Sequence, residues 1–300
     1  MKAMILAAGL GTRLAPLTDN RPKPLVPVGN RAIIDHTIFW LKAHGVREII
    51  VNAHHHPNQL RNHLDGGRPF GVTIHISEER EILGTGGGIQ KTRWFWDREP
   101  FVVVNGDILT NIDLGAAYEA HQKRDDLVTL LLHDFAPFNQ IKINNCHDIL
   151  AINPAPERGR LAFTGIHIMK PEVLDHIPPG RFSCILETYR SLIQAGRPLR
   201  GHVVQDHYWR DAGTIESYIE ANREVLNGTP FLLGQKCRVH DHALLKDWAV
   251  LGDGICVEKG AEISRSILWG NVIVKEGVRI VDSIITFAGE VTNDLVGAIR

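Results

Sequence analysis

The chain has 300 residues, of which 44% are hydrophobic and 22% charged, with a formal net charge of -1. These values fit a soluble globular protein of one large domain or two ordinary ones. The near-neutral balance argues against a general affinity for nucleic acid or an anionic membrane.

No apolar run approaches the roughly 18 residues of a membrane span, and the run in MKAMILAAG is too short for a signal peptide. Cys146, Cys184, Cys237 and Cys256 lie far apart without a CxxC, and read as small buried hydrophobes. A cytoplasmic protein is expected.

From Met1 to about Asn227, short apolar runs alternate with amphipathic stretches. MILAA predicts a buried strand. Residues 32–44 (AIIDHTIFWLKAH) have apolar residues at helical spacing and stop at Gly45. REIIVNA predicts a strand, Pro57 to Leu64 a short helix, and VTIHI and FVVVN two more strands. Leu114 to Lys123 reads as helix, and LVTLLLH as strand. This order argues for an α/β fold, a mainly parallel sheet covered on both faces. In such sheets ligands sit beyond the carboxyl ends of the strands.

After about residue 228 the rhythm changes. Val239, Leu245, Leu251, Val257 and Ile263 recur every six residues, and Ala243, Ala249, Ile255, Ala261 and Ile267 follow each by four. After one five-residue step the series resumes as Leu268, Val274 and Ile280. Helices and ordinary strands do not repeat at six, whereas each hexad of a parallel β-helix supplies one face of a coil. Two domains are expected, 1–228 and 229–300, joined near NGTPF.

The segment LAAGLGTRLAPLTDNRPKPL follows the first strand. It has no Walker motif, and its GxGxx lacks the third glycine of the dinucleotide fingerprint. Gly9 and Gly11 let backbone N–H groups approach an anion closely. Arg13 offers a planar fork suited to phosphate oxygens, and Lys23 a point charge on a backbone restricted by two prolines. The pattern suits a polyphosphate; a surface loop with incidental cations is the plainer alternative. Asp107 follows FVVVN at a strand's carboxyl end, and Asp211 lies in WRDAGT beside a predicted helix start. Each alone fits a turn or cap residue. Together with a cationic loop they suit Mg²⁺, a hard ion that takes few protein carboxylates and completes its shell with water and phosphate oxygens.

These residues resemble the sugar-1-phosphate nucleotidylyltransferases. The likeness rests on LAAGxGTRLxPLT with PKPL at Lys23, NGD at Asp107, GTGGGI from Gly84, FTGI at residues 163–166 and WxDxGTxxxY from Trp209 to Tyr218. GTGGGI is similar to the N-acetylmuramate 1-phosphate uridylyltransferase and the heptose- or mannose-1-phosphate guanylyltransferase branches. The resemblance implies a Rossmann-like nucleotidyltransferase sheet followed by a small left-handed β-helix. The implied activity moves a nucleotidyl group from an NTP to a sugar 1-phosphate, releasing pyrophosphate. It further implies that Leu6, Ala7, Ala8, Gly9, Gly11, Thr12 and a loop of Gly84, Thr85, Gly86 and Gly87 hold the base and ribose. Arg13 would hold the β- and γ-phosphates and Lys23 the α-phosphate, both as catalytic cations. Asp107 and Asp211 would hold Mg²⁺. Asn105, Gly165 and Glu187 would serve the sugar phosphate.

One departure stands out. Many members carry a Glu-Lys-Pro motif before FTG, and here the region reads AINPAPERGRLAFTG, with Arg158 or Arg160 as the available cations. Two other functions fit parts of the pattern: a cytidylyltransferase for phosphocholine or a similar small phosphate, and a catalytically silent regulatory subunit. The hexad tail suggests an oligomerisation or regulatory module, and hence a homo-oligomer.

Overall fold

The computed structural model describes residues 1–124 and 126–300. It divides into two compact units. One contains residues 1–10 and 34–211, the other residues 11–33 and 212–300. Among the described residues no helix is long and apolar enough to cross a membrane.

Among the described residues the first unit is built on a mixed nine-stranded sheet. Thr73–Glu78, Glu48–Ala53, Lys2–Leu6 and Phe101–Asn105 lie side by side and parallel, as the alternation predicts. Helix α1 (Ile33–Ala43) connects the first two strands in the chain, α2 (Pro57–Leu64) the next pair, and α3 (Gly84–Lys91) leads back toward Phe101. The chain steps outward one way from Lys2–Leu6 and then jumps to its other side. The crevice outside Leu6 and Asn105, which are paired in register, is therefore a topological switch point. The sheet continues through Leu161–Met169, which runs antiparallel to Phe101–Asn105, Val128–His133 and Asn139–Ile143. Helix α4 (Leu114–Gln122) starts at Asp113, whose carboxylate accepts the Ala116 N–H. Helix α5 (Ile185–Gln194) packs Tyr189 and Leu192 into the main core, with Phe101, Val103 and Leu130.

The second unit joins the opening loop, helix α6 (Ile215–Val225) and a stack of short parallel strands. Arg238 pairs with Cys256 and Cys256 with Ile273; Leu245 pairs with Ile263 and Ile263 with Ile280. The step is 17 or 18 residues, three hexads per coil, as a parallel β-helix requires. The hexad residues stack inside: Leu251, Val257, Ile263, Leu268, Val274 and Ile280 are all at most 1% exposed. Each contributes roughly 1.5–3 kcal/mol of burial. Ile267 departs from the expected pattern. The five-residue step puts Ser266 opposite Ala249 in the inner slot, and turns Ile267 to the other face opposite Val250. Ser266 Oγ meets this burial by donating to Ser264 O, 2.7 Å, and accepting from Ser283 N, 3.1 Å.

Candidate active site

In the opening loop, Gly11 has φ +71°, and its carbonyl accepts the Thr18 hydroxyl, 3.0 Å. A Cβ at Gly11 would stand 2.9 Å from Thr18 Cγ2 and 3.2 Å from Lys23 Cβ, so the glycine lets the loop fold back on Lys23. Arg13 is exposed on a single 3-10 turn, Thr12–Leu14. Lys23 is half-buried on another, Lys23–Leu25, fixed between Pro22 and Pro24. Proline at the second position of such a turn matches its φ and gives up no needed donor. Further along, Arg21 lies over the Trp269 ring at 4.6 Å, Gly29 N–H donates to Asn222 Oδ1 and Asn30 Nδ2 to the Leu251 carbonyl. The loop is thus anchored on α6 and on the coil strands.

At the switch point, Leu6 ends its strand half-buried, Ala7 and Ala8 are buried, and Gly9 is exposed. Gly106 N–H donates to the Leu6 carbonyl, 2.9 Å, and a Cβ at Gly106 would fall 2.6 Å from that oxygen. Only glycine allows the turn of NGD to pass so close to the first strand's end. Asp107 follows, half-buried, and then the short strand Ile108–Thr110. That strand pairs antiparallel with Trp209–Asp211, with Asp211 opposite Ile108, the residue after Asp107. Two carboxylates more than 100 positions apart in the chain thereby stand on neighbouring main-chain positions, both half-buried. Their donor set is oxygen only, which suits a hard divalent cation. Among the described residues no cluster of three His, Cys, Asp or Glu is arranged to hold an ion alone. A metal at this pair would take its remaining ligands from water and phosphate.

Gly165 has φ +78°, and a Cβ there would lie 2.8 Å from Asn105 Nδ2. The antiparallel register of Leu161–Met169 breaks at this point, between Phe163 and His167. Trp209 Nε1 donates to the Thr164 carbonyl, 2.8 Å, tying WRDAGT to FTGI. Asn105, Gly165 and the aspartate-bearing strand are brought together. Beside them, His133 packs edge-on against Trp209 and meets His207 across 3.1 Å. Burial, reinforced by His207, lowers the His133 pKa to about 4, so this ring is neutral at physiological pH. Nothing in the sequence pattern marked this histidine pair.

GTGGGI differs from the expected loop. Gly84 to Gly87 form the first turn of α3. The glycines are poor helix formers, and close neighbours explain them. A Cβ would meet the Ser183 carbonyl at 2.6 Å from Gly84 and the Arg181 carbonyl at 2.6 Å from Gly87. The Gly86 N–H donates to the same Ser183 oxygen, and Ile185 N–H donates to Thr85 Oγ1. Glu187 is exposed in the first turn of α5, two residues past Ile185. The main chain thus ties the start of α5, which carries Glu187, to the Gly84–Gly87 segment.

Of the two cations before FTG, Arg158 is exposed, while the Arg160 side chain is 11% exposed and ion-paired to Glu157 at 2.6 Å. Asn153 Nδ2 reaches the same Glu157 oxygen, 3.2 Å. Among the described residues Arg160 Nη1 is buried with no hydrogen-bond partner, and a cavity of about 640 Å³ is lined by Asp134, Asn139, Glu157, Arg158 and Arg160.

The sequence pattern did not single out Asn52 and Glu79. They are 3% and 2% exposed, and they bond to each other and to the main chain of Ala7 and Leu83. The available signal was an amide inside the apolar run IIVNA.

Residues 2–228 match the family model described as Nucleotidyl transferase. The N-acetylmuramate alpha-1-phosphate uridylyltransferase of Neisseria meningitidis serogroup B is 35% identical over 221 residues, 72% of this chain and 94% of that protein. The mannose-1-phosphate guanylyltransferase of Mycobacterium tuberculosis is 29% identical over 290 residues, 93% of this chain and 80% of its own. A Bacillus anthracis crystal structure, described as a glucose-1-phosphate thymidylyltransferase in complex with sucrose, superposes with a TM-score of 0.68 at 26% identity. It covers 75% of this chain and 94% of its own.

Proposed function

The chain belongs to the nucleotidyl transferase family, and from that premise we propose that it transfers a nucleotidyl group from an NTP to a sugar 1-phosphate in a Mg²⁺-dependent reaction. The phosphate oxygen of the sugar attacks the α-phosphorus, the bond to the β-phosphate bridging oxygen breaks, and pyrophosphate leaves. The observation that carries this reading is the pairing that sets Asp211 beside Asp107 at the end of the Phe101–Asn105 strand.

The nucleophile needs no general base, because a sugar phosphate is mostly dianionic at neutral pH with a second pKa of about 6. The obstacle is repulsion between two anions. Arg13, with its planar fork, holds the β- and γ-phosphates. Lys23, held by its flanking prolines, meets the charge that develops at the α-phosphate. Leu6 to Gly9 and Gly84 to Gly87 present main-chain groups to the base and ribose, and Asn105 with Gly165 borders the sugar. Mg²⁺ held by Asp107 and Asp211 would neutralise triphosphate charge. On this reading residues 1–228 are the catalytic domain, and residues 229–300 form a small left-handed β-helix that supports a homo-oligomer, which light scattering on the full chain measures.

Pyrophosphate release with the four NTPs, each paired with a panel of sugar 1-phosphates and with phosphocholine, tests the proposal with and without Mg²⁺. Release with a sugar 1-phosphate, abolished by EDTA, is expected. Release with CTP and phosphocholine alone would assign the cytidylyltransferase reaction, and no release with any pair would assign a silent subunit.

A further inference from the structure

Glu79 is a buried carboxylate for which the proposed chemistry has no use. It lies one residue past the strand Thr73–Glu78 and is 2% exposed. A charge so placed costs several kcal/mol unless hydrogen bonds replace the lost water. Both of its oxygens are met. Oε1 accepts from Asn52 Nδ2 at 2.8 Å, and Oε2 accepts from the Leu83 N–H at 2.9 Å. Asn52 in turn uses its oxygen: Oδ1 accepts from the Ala7 N–H at 2.7 Å.

The result is one continuous chain of hydrogen bonds, Ala7 N–H to Asn52, Asn52 to Glu79, and Glu79 to Leu83 N–H. Its two ends are main-chain groups of the two nucleotide segments. Ala7 belongs to Leu6–Gly9, and Leu83 directly precedes Gly84. Gly88 completes the arrangement. A Cβ there would stand 2.8 Å from Asn52 Nδ2 and 2.9 Å from Glu79 Oε1, so the absence of a side chain lets α3 lie directly on the pair. Both side chains are planar, and each is fixed at two points, which makes the link stiff.

We propose that Asn52 and Glu79 are positioning residues for the nucleotide: their buried bridge sets the separation of the Leu6–Gly9 turn and the Gly84–Gly87 turn, so that one base and ribose meet both. This inference rests on the reading that those two segments hold the NTP. It gives the bridge a polarity. Glu79→Gln aims an amide N–H at a donor, and Asn52→Asp sets two carboxylates against each other. The double variant Asn52→Asp/Glu79→Gln restores all three bonds, with donor and acceptor exchanged only in the one between the two side chains. The Asp oxygens accept from Ala7 and from the new amide, and the Gln oxygen accepts from Leu83.

NTP affinity by calorimetry, and KM for both substrates, are measured on the full chain for the wild type, both single variants and the double. Each single variant should raise the NTP Kd and KM about tenfold to hundredfold, with KM for the sugar 1-phosphate unchanged. The double should return the NTP values close to wild type. Unchanged NTP affinity in the single variants would overturn the proposal, as would parallel rises in both KM values or a folded double variant as weak as the singles. Should the single variants not fold, the double variant alone decides. A wild-type chain that binds no NTP would instead remove the underlying reading, a result distinct from variants that bind as well as the wild type.

Discussion

The sheet unit and the coil strands of the second unit hold themselves together by different rules. In the coils each paired residue repeats the strand environment of one 17 or 18 positions away, and strand pairing passes from each coil to the next. Even the corners repeat. Asp247, Arg265 and Asp282 all have positive φ, and Arg265 is ion-paired to both aspartates. In the sheet unit nothing repeats, and the groups that decide its geometry are single long-range contacts: Ala7 to Asn52, Gly106 to Leu6, Trp209 to Thr164. The contrast teaches where chemistry can be placed. A repeat tolerates change locally because its energy is a sum of similar steps. A strand-end site depends on a few irreplaceable close approaches.

The sharpest way to test that contrast is to change one strand-end carboxylate. Asp107→Asn should lower kcat by about three orders of magnitude with the melting temperature held. A matched loss of melting temperature would show the residue to be structural. In the coils the expectation reverses. Ile263→Ala, at a fully buried hexad position, should cost about 2–4 kcal/mol in chemical denaturation, with kcat per folded molecule unchanged. A fall in kcat would make the coils part of the catalytic apparatus. Gly106→Ala stands between these cases. Its methyl would strike the Leu6 carbonyl, so a destabilisation of about 1–3 kcal/mol is expected, together with a raised KM for the NTP.

Acid should separate the regions further. Burial lowers the pKa of His121 and His133 to about 4 and that of His167 to about 3, all in the sheet unit. Unfolded histidine takes its proton near 6.5, so between there and pH 4 the unfolded chain binds more protons than the folded one. Stability is therefore full above about pH 6.5 and falls as pH drops toward 4, with His167 alone adding at most about 1.4 kcal/mol per pH unit. The coil carboxylates Asp247, Asp282 and Glu258 are held below their ordinary range, first by hydrogen bonds, to Ser264, Arg265 and Lys275 respectively. They weaken only at lower pH. Hydrogen exchange at pH 5 should show sheet-unit peptides opening before coil peptides; the reverse order would refute this account. The smallest effect is expected from Arg265→Ala, whose ion pairs are exposed and screened by salt. It should leave the melting temperature nearly unchanged at physiological ionic strength.

Some of this was legible beforehand because it is written in local pattern. The helix Pro57–Leu64 and the strand Phe101–Asn105 stand where the residues placed them, since a proline at the first helical position and a run of β-branched residues each act over a few neighbours. The hexads were readable for the same reason: inward positions at a fixed interval leave the same mark in every coil. Ile267 was misplaced because a single five-residue step shifts which residue faces inward, and only the register against the coil before it decides that.

What the sequence by itself determined was the alternation of strand and helix, the change to a period of six, and the residue types able to handle phosphate and a divalent ion. Only the tertiary structure decided that Asp211 comes to lie beside Asp107, that GTGGG is a helix's first turn, and that Leu161–Met169 runs antiparallel through the sheet. It also decided that Glu79 and Asn52 link two distant turns. The physical reason is range. Propensity and periodicity act over a turn or two of chain, whereas a buried polar group takes its partners from whatever strand the fold brings alongside it.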